Sequence, residues 1–274
     1  MNADSSPAQS VRVSFQLPIA GGVLNASANL PAGPTTLTQL LPVIQNLENA
    51  IVSRISEEAT ERGTPISCRA GCGACCRQMV PVSLFEAEAL TEWIDTLPAE
   101  RRAELEERFH RALLALRDAG VIEKILHDRW TLEEEAATQL AIDYFRAGVP
   151  CPFLEDESCG IHPIRPLACR EYLVTSPPVL CQDPSMNQVT GVRFPLKLSR
   201  VLFAFGSQLS QDLRGWIPLV FLMAWRKGGQ KPGDFVSGTG EEVLQKFLKQ
   251  LAEMPPEMPP AEDGQPNETP AGQS

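Results

Sequence analysis

Apolar and polar residues alternate near the start of the chain, which is the pattern of a half-buried β-strand. The alternation runs from Val11 to Leu17, and a similar segment, 23–30, follows the glycine pair at 21–22. Two such segments joined by a short glycine turn predict a small N-terminal β-hairpin. Residues 1–10 come before this pattern and are predicted to be a disordered leader.

From about residue 38 onwards, apolar residues recur three or four positions apart, which is typical of amphipathic helices. Capping boxes that begin at Ser83 and Thr131 mark two helix starts, since each places an acidic residue three positions after a hydroxyl residue. The predicted helices span 38–62, 84–96, 98–119, 131–148, 196–213, 216–226 and 241–251. The chain is therefore predicted to be mainly α.

Prolines interrupt the helical pattern between residues 149 and 195, where eight of them occur. Proline removes a backbone donor and fixes φ, so no long helix is expected there. The end of the chain, 253–274, is rich in Pro, Glu and Gly and is predicted to be a disordered tail.

Composition and charge narrow the classes of function. The chain of 274 residues is 43% hydrophobic and carries a net charge of −10. An acidic chain lacks the basic surface that non-specific nucleic-acid binding needs. The longest uncharged apolar run, from Gly215 to Trp225, is far shorter than the roughly 20 residues of a membrane span. The start of the chain has no signal-peptide pattern, so a cytoplasmic location is predicted.

Eight cysteines are unusual in a chain for which no export is predicted, because the cytosol keeps thiols reduced. They form two blocks: Cys68, Cys72, Cys75 and Cys76, then Cys151, Cys159, Cys169 and Cys181. Four thiols within nine residues repel one another when ionised unless a cation neutralises them. Soft sulfur ligands select Zn²⁺ or iron–sulfur clusters. All eight are therefore predicted metal ligands; buried core cysteines and disulfides are the alternatives.

The cysteine blocks also carry a family resemblance. The runs CRAGCGACC at 68–76 and CPFLEDESCGIHPIRPLACREY at 151–172 resemble the CxxCxxCC-type cysteine-cluster family, also called the YkgJ family, whose members are described as zinc- or iron-chelating. The resemblance covers about 68–181 and implies the same ligands, with Cys181 matching a later cysteine of some members. Relatives often have Tyr or Phe at the position of His162, so the resemblance does not mark this histidine as a ligand.

Charged residues beside the cysteines have two interpretations. Arg69, Arg77, Arg165 and Arg170 flank cysteines and would offset excess thiolate charge. The alternative is that they are solvated or bind backbone carbonyls. The acidic pair at 156–157 is predicted to form a turn, because a soft metal site prefers sulfur to oxygen.

These patterns predict one metal-binding domain over 11–252, with a loop-rich core at 68–181 that the metal organises and a helical insertion at 84–147. The leading hypothesis is a zinc or iron–sulfur protein of unknown cellular role. The alternatives are a protein-modifying enzyme, since flagellin lysine N-methylase contains a similar cluster, and a protein that stores or transfers zinc or iron. The metal ion is the predicted partner, and a protein partner remains possible.

Overall fold

The N-terminal hairpin forms as the alternating pattern predicts. The computed structural model describes residues 9–19, 22–128, 134–183, 188–209, 215–229 and 231–255. Strands β1 (Ser10–Ile19) and β2 (Gly22–Pro31) pair antiparallel, with Val13 opposite Ala28 and Leu17 opposite Leu24. Leu17 and Leu30 are buried in the core because alternate side chains of each strand face the same side.

Helices make up most of the described chain, which confirms the mainly α prediction. They are α1 (Leu37–Glu61), α2 (Leu84–Asp95), α3 (Ala99–Asp118), α4 (Val121–Asp128), α5 (Glu134–Arg146), α6 (Leu167–Glu171), α7 (Leu198–Leu209), α8 (Leu222–Lys227) and α9 (Gly240–Ala252). The capping box predicted at Ser83 is confirmed, since its hydroxyl accepts the Glu86 N–H while the Glu86 carboxylate accepts the Ser83 N–H. The box predicted at residue 131 lies outside the described residues.

Short strands tie distant parts of the chain together in three further two-stranded sheets. They are β3 (Pro34–Thr36), β4 (Pro81–Ser83), β5 (Leu154–Glu155), β6 (Ser158–Cys159), β7 (Trp216–Pro218) and β8 (Ser237–Thr239). β3 pairs with β8, β4 with β7, and β5 with β6. None of these strands is long enough to show an alternating pattern in the sequence.

The predicted helix over 216–226 is wrong in its first half. The segment begins as β7, where Ile217 lies opposite Val82, continues as a 3-10 turn at Leu219–Phe221, and becomes helical only in α8. The cause is the sheet partner: β4 takes the backbone hydrogen bonds of β7, and the N–H of Leu219 bonds the carbonyl of Val80 at 2.8 Å. The structure also adds α4, which the sequence pattern did not predict.

Three apolar clusters form the core. The largest joins the hairpin to α1, α7 and α9. The second surrounds Phe109 and Phe153 between α2, α3 and α8, and half-buried Cys151 and Cys159 pack against it. The third fills the space between α3, α4 and α5. Within the described residues, none of the helices combines the length and the apolar character that crossing a bilayer requires.

Candidate metal centre

The two cysteine blocks lie in loops and short turns between the long helices. Cys68 and Cys72 are in the loop after α1, and Cys75 and Cys76 are on a 3-10 turn, Ala74–Arg77. A continuous helix over 68–76 is therefore not formed. The later cysteines lie, in chain order, after α5, at the end of β6, within α6 and on a 3-10 turn at Pro178–Gln182. All eight are in the described residues and all are free thiols, Cys181 buried and the others half-buried.

A tight hairpin presents Cys159 to the first block. β5 and β6 are joined by Asp156 and Glu157, both with positive φ (47° and 57°). Two such residues form the turn that best matches the twist of a hairpin, which confirms the predicted turn. Gly73 packs directly on it, since a Cβ at Gly73 would lie 2.6 Å from the Glu157 carboxylate and 2.8 Å from Leu154.

Backbone hydrogen bonds join the two blocks at both ends. The N–H of Cys151 donates to the carbonyl of Cys76 at 2.7 Å, and the N–H of Ser67 donates to the carbonyl of Val174 at 2.9 Å. The N–H of Val174 in turn donates to the sulfur of Cys68 at 3.4 Å. The convergence of the blocks therefore rests on the backbone as well as on the side chains.

Three of the sulfurs accept N–H bonds from the backbone of another residue. Besides Cys68, these are Cys151, which accepts from Phe153, and Cys159, which accepts from Ile161. Burial raises the pKa of Cys151 to about 12, and the hydrogen bond acts in the opposite direction because it stabilises the thiolate. Such donors orient a sulfur and stabilise its negative charge, as the groups around metal ligands do.

Mutual repulsion shows which thiols are neighbours. Burial raises the pKa of Cys68 first, and the charges of Cys75 and Cys72 raise it further. Burial likewise raises the pKa of Cys181, with added repulsion from Cys68, Cys72 and Cys75. We call these four residues the first thiol set: Cys68, Cys72, Cys75 and Cys181.

The remaining cysteines form a second group of neighbours. Burial raises the pKa of Cys169 well above its ordinary value, and Cys151, Cys75 and Cys159 add repulsion. Cys151 and Cys159 also raise the pKa of Cys76. We call these the second thiol set: Cys76, Cys151, Cys159 and Cys169. Cys75 borders both sets.

The adjacent thiols of Cys75 and Cys76 share a hydrogen bond. This bond lowers the pKa of Cys75 to about 7 and raises that of Cys76, because Cys76 keeps the proton that stabilises a Cys75 thiolate. Cys75 is therefore the sulfur at the border of the two sets that ionises near neutral pH.

The four flanking arginines have different roles. The positive charge of Arg165 helps to lower the pKa of Cys75 and opposes the rise in the pKa values of Cys159 and Cys169. The Nε atom of Arg165 is buried and has no hydrogen-bond partner among the described residues. This fits the predicted charge compensation. Arg170 bonds the carbonyls of Arg165 and Pro163 at 3.0 and 2.6 Å, which is the alternative interpretation, and its charge also opposes the rise in the pKa of Cys159.

The chemistry of the thiol donors fits a thiophilic metal, but the distances between the sulfurs are not those of a metal site. Among the described residues, no three or more His, Cys, Asp or Glu side chains are arranged to hold an ion as they stand. The two adjoining blocks of free thiols form a soft donor set. Three of the sulfurs accept N–H bonds from other residues, and the cationic side chain of Arg165 lies beside the thiols. His162 is exposed on a 3-10 turn, outside both thiol sets.

A buried polar layer anchors α6, which carries Cys169. Glu86 accepts the Leu167 N–H at 2.7 Å, and Glu171 accepts the Ser199 N–H at 2.8 Å. Glu48 on α1 is fully buried, and neither carboxylate oxygen has a hydrogen-bond partner in the part of the chain that the structure describes. Sequence analysis predicted only a capping role for Glu86, because its second partner, Leu167, lies 81 residues away.

A comparison with known families identifies the segment that contains these thiols. Residues 67–189 match the CxxCxxCC family, whose model is described as "Putative zinc- or iron-chelating domain". The resemblance is thus confirmed over this stretch, and all eight cysteines lie in this CxxCxxCC segment. No curated protein and no solved structure matches the chain.

Proposed function

We propose that the CxxCxxCC segment binds metal through two four-sulfur sites, one for each thiol set. The observation that carries this is that backbone hydrogen bonds join two blocks of four free thiols that lie far apart in the chain. The family description supplies zinc and iron as the metals. Bound Zn²⁺ would supply structural cross-links, whereas an iron–sulfur cluster would supply an electron-transfer centre.

The chain's own residues prepare both sites for a cation. The backbone N–H groups of Phe153, Ile161 and Val174 orient three sulfurs. Arg165 offsets part of the negative charge that eight thiolates create. Repulsion within each set is relieved when an ion replaces the thiol protons, so metal binding and closure of the sulfurs are linked.

Metal handling is a second candidate function, and one observation favours it. Cys72, a member of the first thiol set, lines a cleft at the surface of the protein. A sulfur that borders a cleft can exchange its metal with a ligand from solution, whereas a closed shell of four sulfurs serves structure.

Purification without oxygen tests the proposal. We expect zinc or iron at up to two sites per chain by elemental analysis. A colourless protein would contain zinc, and broad visible absorption together with acid-labile sulfide would indicate an iron–sulfur cluster. Protein that contains neither metal, and that takes up neither Zn²⁺ nor iron with sulfide after reduction, would overturn the proposal.

A further inference from the structure

A cleft of about 740 Å³ opens beside the first thiol set. One wall is the loop of the first cysteine block, where Arg69 and Cys72 both line the cleft, and another is formed around Pro178. The N–H of Cys72 bonds the carbonyl of Arg69 at 3.2 Å, so one turn of the backbone presents both side chains. This volume is in the range of sites for small organic molecules and is much larger than a single ion needs.

The cleft has one positive charge that no described residue compensates. Arg77 also lines it, but its guanidinium bonds both carboxylate oxygens of Glu157, at 3.1 and 2.7 Å. Arg69 is exposed, and within the described ranges its side chain has no hydrogen bond or ion pair. The chain as a whole carries a net charge of −10 and therefore repels anions. The unpaired guanidinium of Arg69 creates a local positive potential at the cleft, which attracts an anion there.

We propose that this cleft binds a small organic carboxylate, which Arg69 holds beside the thiol of Cys72. The planar guanidinium offers paired N–H donors that match the two oxygens of a carboxylate. Phe145 and Val179 supply apolar wall for the body of the ligand. As an extension that rests on the proposed function, metal enters or leaves the first thiol set as a complex with such a carboxylate.

A matched pair of ligands tests the binding. Succinate is titrated by calorimetry against the full chain as purified, and its neutral diamide, succinamide, is titrated alongside. We expect succinate to bind and succinamide to bind at least tenfold more weakly. Arg69→Gln should weaken succinate binding about tenfold, because a charge-assisted hydrogen bond is lost.

The control for this titration is Arg62→Gln, which removes an exposed arginine that bonds Glu58 on α1 and should leave succinate binding unchanged. Equal binding of succinate and succinamide, no binding of either, or equal effects of the two arginine variants would each overturn the proposed carboxylate site.

Metal exchange tests the extension separately. The rate of metal loss to citrate, an anionic chelator, is compared with the rate of loss to neutral 1,10-phenanthroline. Arg69→Gln should slow the loss to citrate several-fold and leave the loss to phenanthroline unchanged. Equal slowing by both chelators would contradict the extension. If the chain holds no metal as purified and takes up neither Zn²⁺ nor iron with sulfide after reduction, the proposed function fails, while the succinate titration still decides the cleft.

Discussion

The backbone N–H of Cys151 donates a 2.7 Å hydrogen bond to the carbonyl of Cys76. This bond joins the last cysteine of the first block to the first cysteine of the second block, across all of α2 to α5. Because the link is between backbone groups, it leaves both thiols available as ligands. The backbone therefore brings the two cysteine blocks next to each other, and under the proposed function a bound ion would draw the sulfurs closer.

Loss of one cysteine from each set should have separable effects on metal content. Cys181→Ser removes a sulfur of the first thiol set and Cys169→Ser one of the second. We expect each to lower the metal per chain by about half and the double variant to abolish it, because a four-coordinate site loses much of its affinity with one ligand. Elemental analysis measures this.

His110→Ala serves as the control for metal content, since His110 is exposed on α3 and should leave the metal unchanged. The sequence alone gives Cys181 the weakest support, at the far end of the proline-rich block. The packing of Cys181 beside Cys68 and Cys72 instead predicts a full effect. Retention of metal by Cys181→Ser would contradict the first thiol set.

Substitution of Gly73 should disturb the contact between the first block and the β5–β6 hairpin. An alanine Cβ would lie 3.2 Å from the Cα of Glu157, besides its closer contacts with two side chains, so the hairpin must move. We expect Gly73→Ala to cost about 1 kcal/mol or more of unfolding free energy. Denaturant unfolding measures the cost.

The matched control for Gly73→Ala is Gly33→Ala, where an added Cβ meets nothing within 4 Å. Its unfolding free energy should stay close to that of the wild type. Equal effects of the two substitutions would show that the hairpin does not press on the first block.

Glu48 should make stability depend on pH. Burial, and then the charge of Glu171, raise its pKa to about 9 from an ordinary value of 4.5. Between pH 4.5 and about 9, the Glu48 carboxyl is protonated in the folded state and ionised in the unfolded state. The free energy of unfolding therefore falls as the pH rises through this range. Glu48→Gln cannot titrate and should gain stability relative to the wild type as pH rises from 5 to 9.

Denaturant unfolding at several pH values measures the effect of Glu48→Gln. Glu57→Gln is the control, since Glu57 is an exposed carboxylate on the same helix. A difference between Glu48→Gln and the wild type that does not change with pH would contradict the raised pKa of Glu48.

Removal of metal should expose the second cysteine block to proteases. Between Gly148 and Gln182 the described chain has only two-residue strands, 3-10 turns and the five-residue helix α6, and structural metal sites supply about 10 kcal/mol to folding. With a chelator under reducing conditions, we expect faster tryptic cleavage after Arg170; Arg165 precedes Pro166 and is therefore not a tryptic site. Mass spectrometry of the fragments measures this.

Cleavage after Lys246 and Lys249 in α9 provides the internal control, because α9 packs in the largest apolar cluster through Val243 and Phe247 and should stay protected. An unchanged cleavage rate after Arg170 would mean that the polar layer beneath α6, rather than metal, holds the segment.

Local patterns in the sequence determined the hairpin, the capping box at Ser83, the bounds of α1 and α9 to within a residue or two, and the turn at Asp156 and Glu157. Each of these features can be recognised from the spacing of residues within about four positions of one another: the period of the apolar residues, or the distance between a hydroxyl and a carboxylate residue. The clustered cysteines likewise pointed to metal chemistry without any knowledge of the fold.

Only the tertiary structure decided that Cys181 lies close enough to Cys68 and Cys72 for their charges to raise its pKa, across more than one hundred residues. It also decided that Trp216–Pro218 is a strand, since β4 provides the partner, and that Glu86 bonds α6 as well as capping α2. The four flanking arginines look alike in sequence. Arg165 lies among the thiols, Arg170 bonds backbone, Arg77 pairs with Glu157 and Arg69 faces a cleft, because long-range packing alone sets what each guanidinium meets.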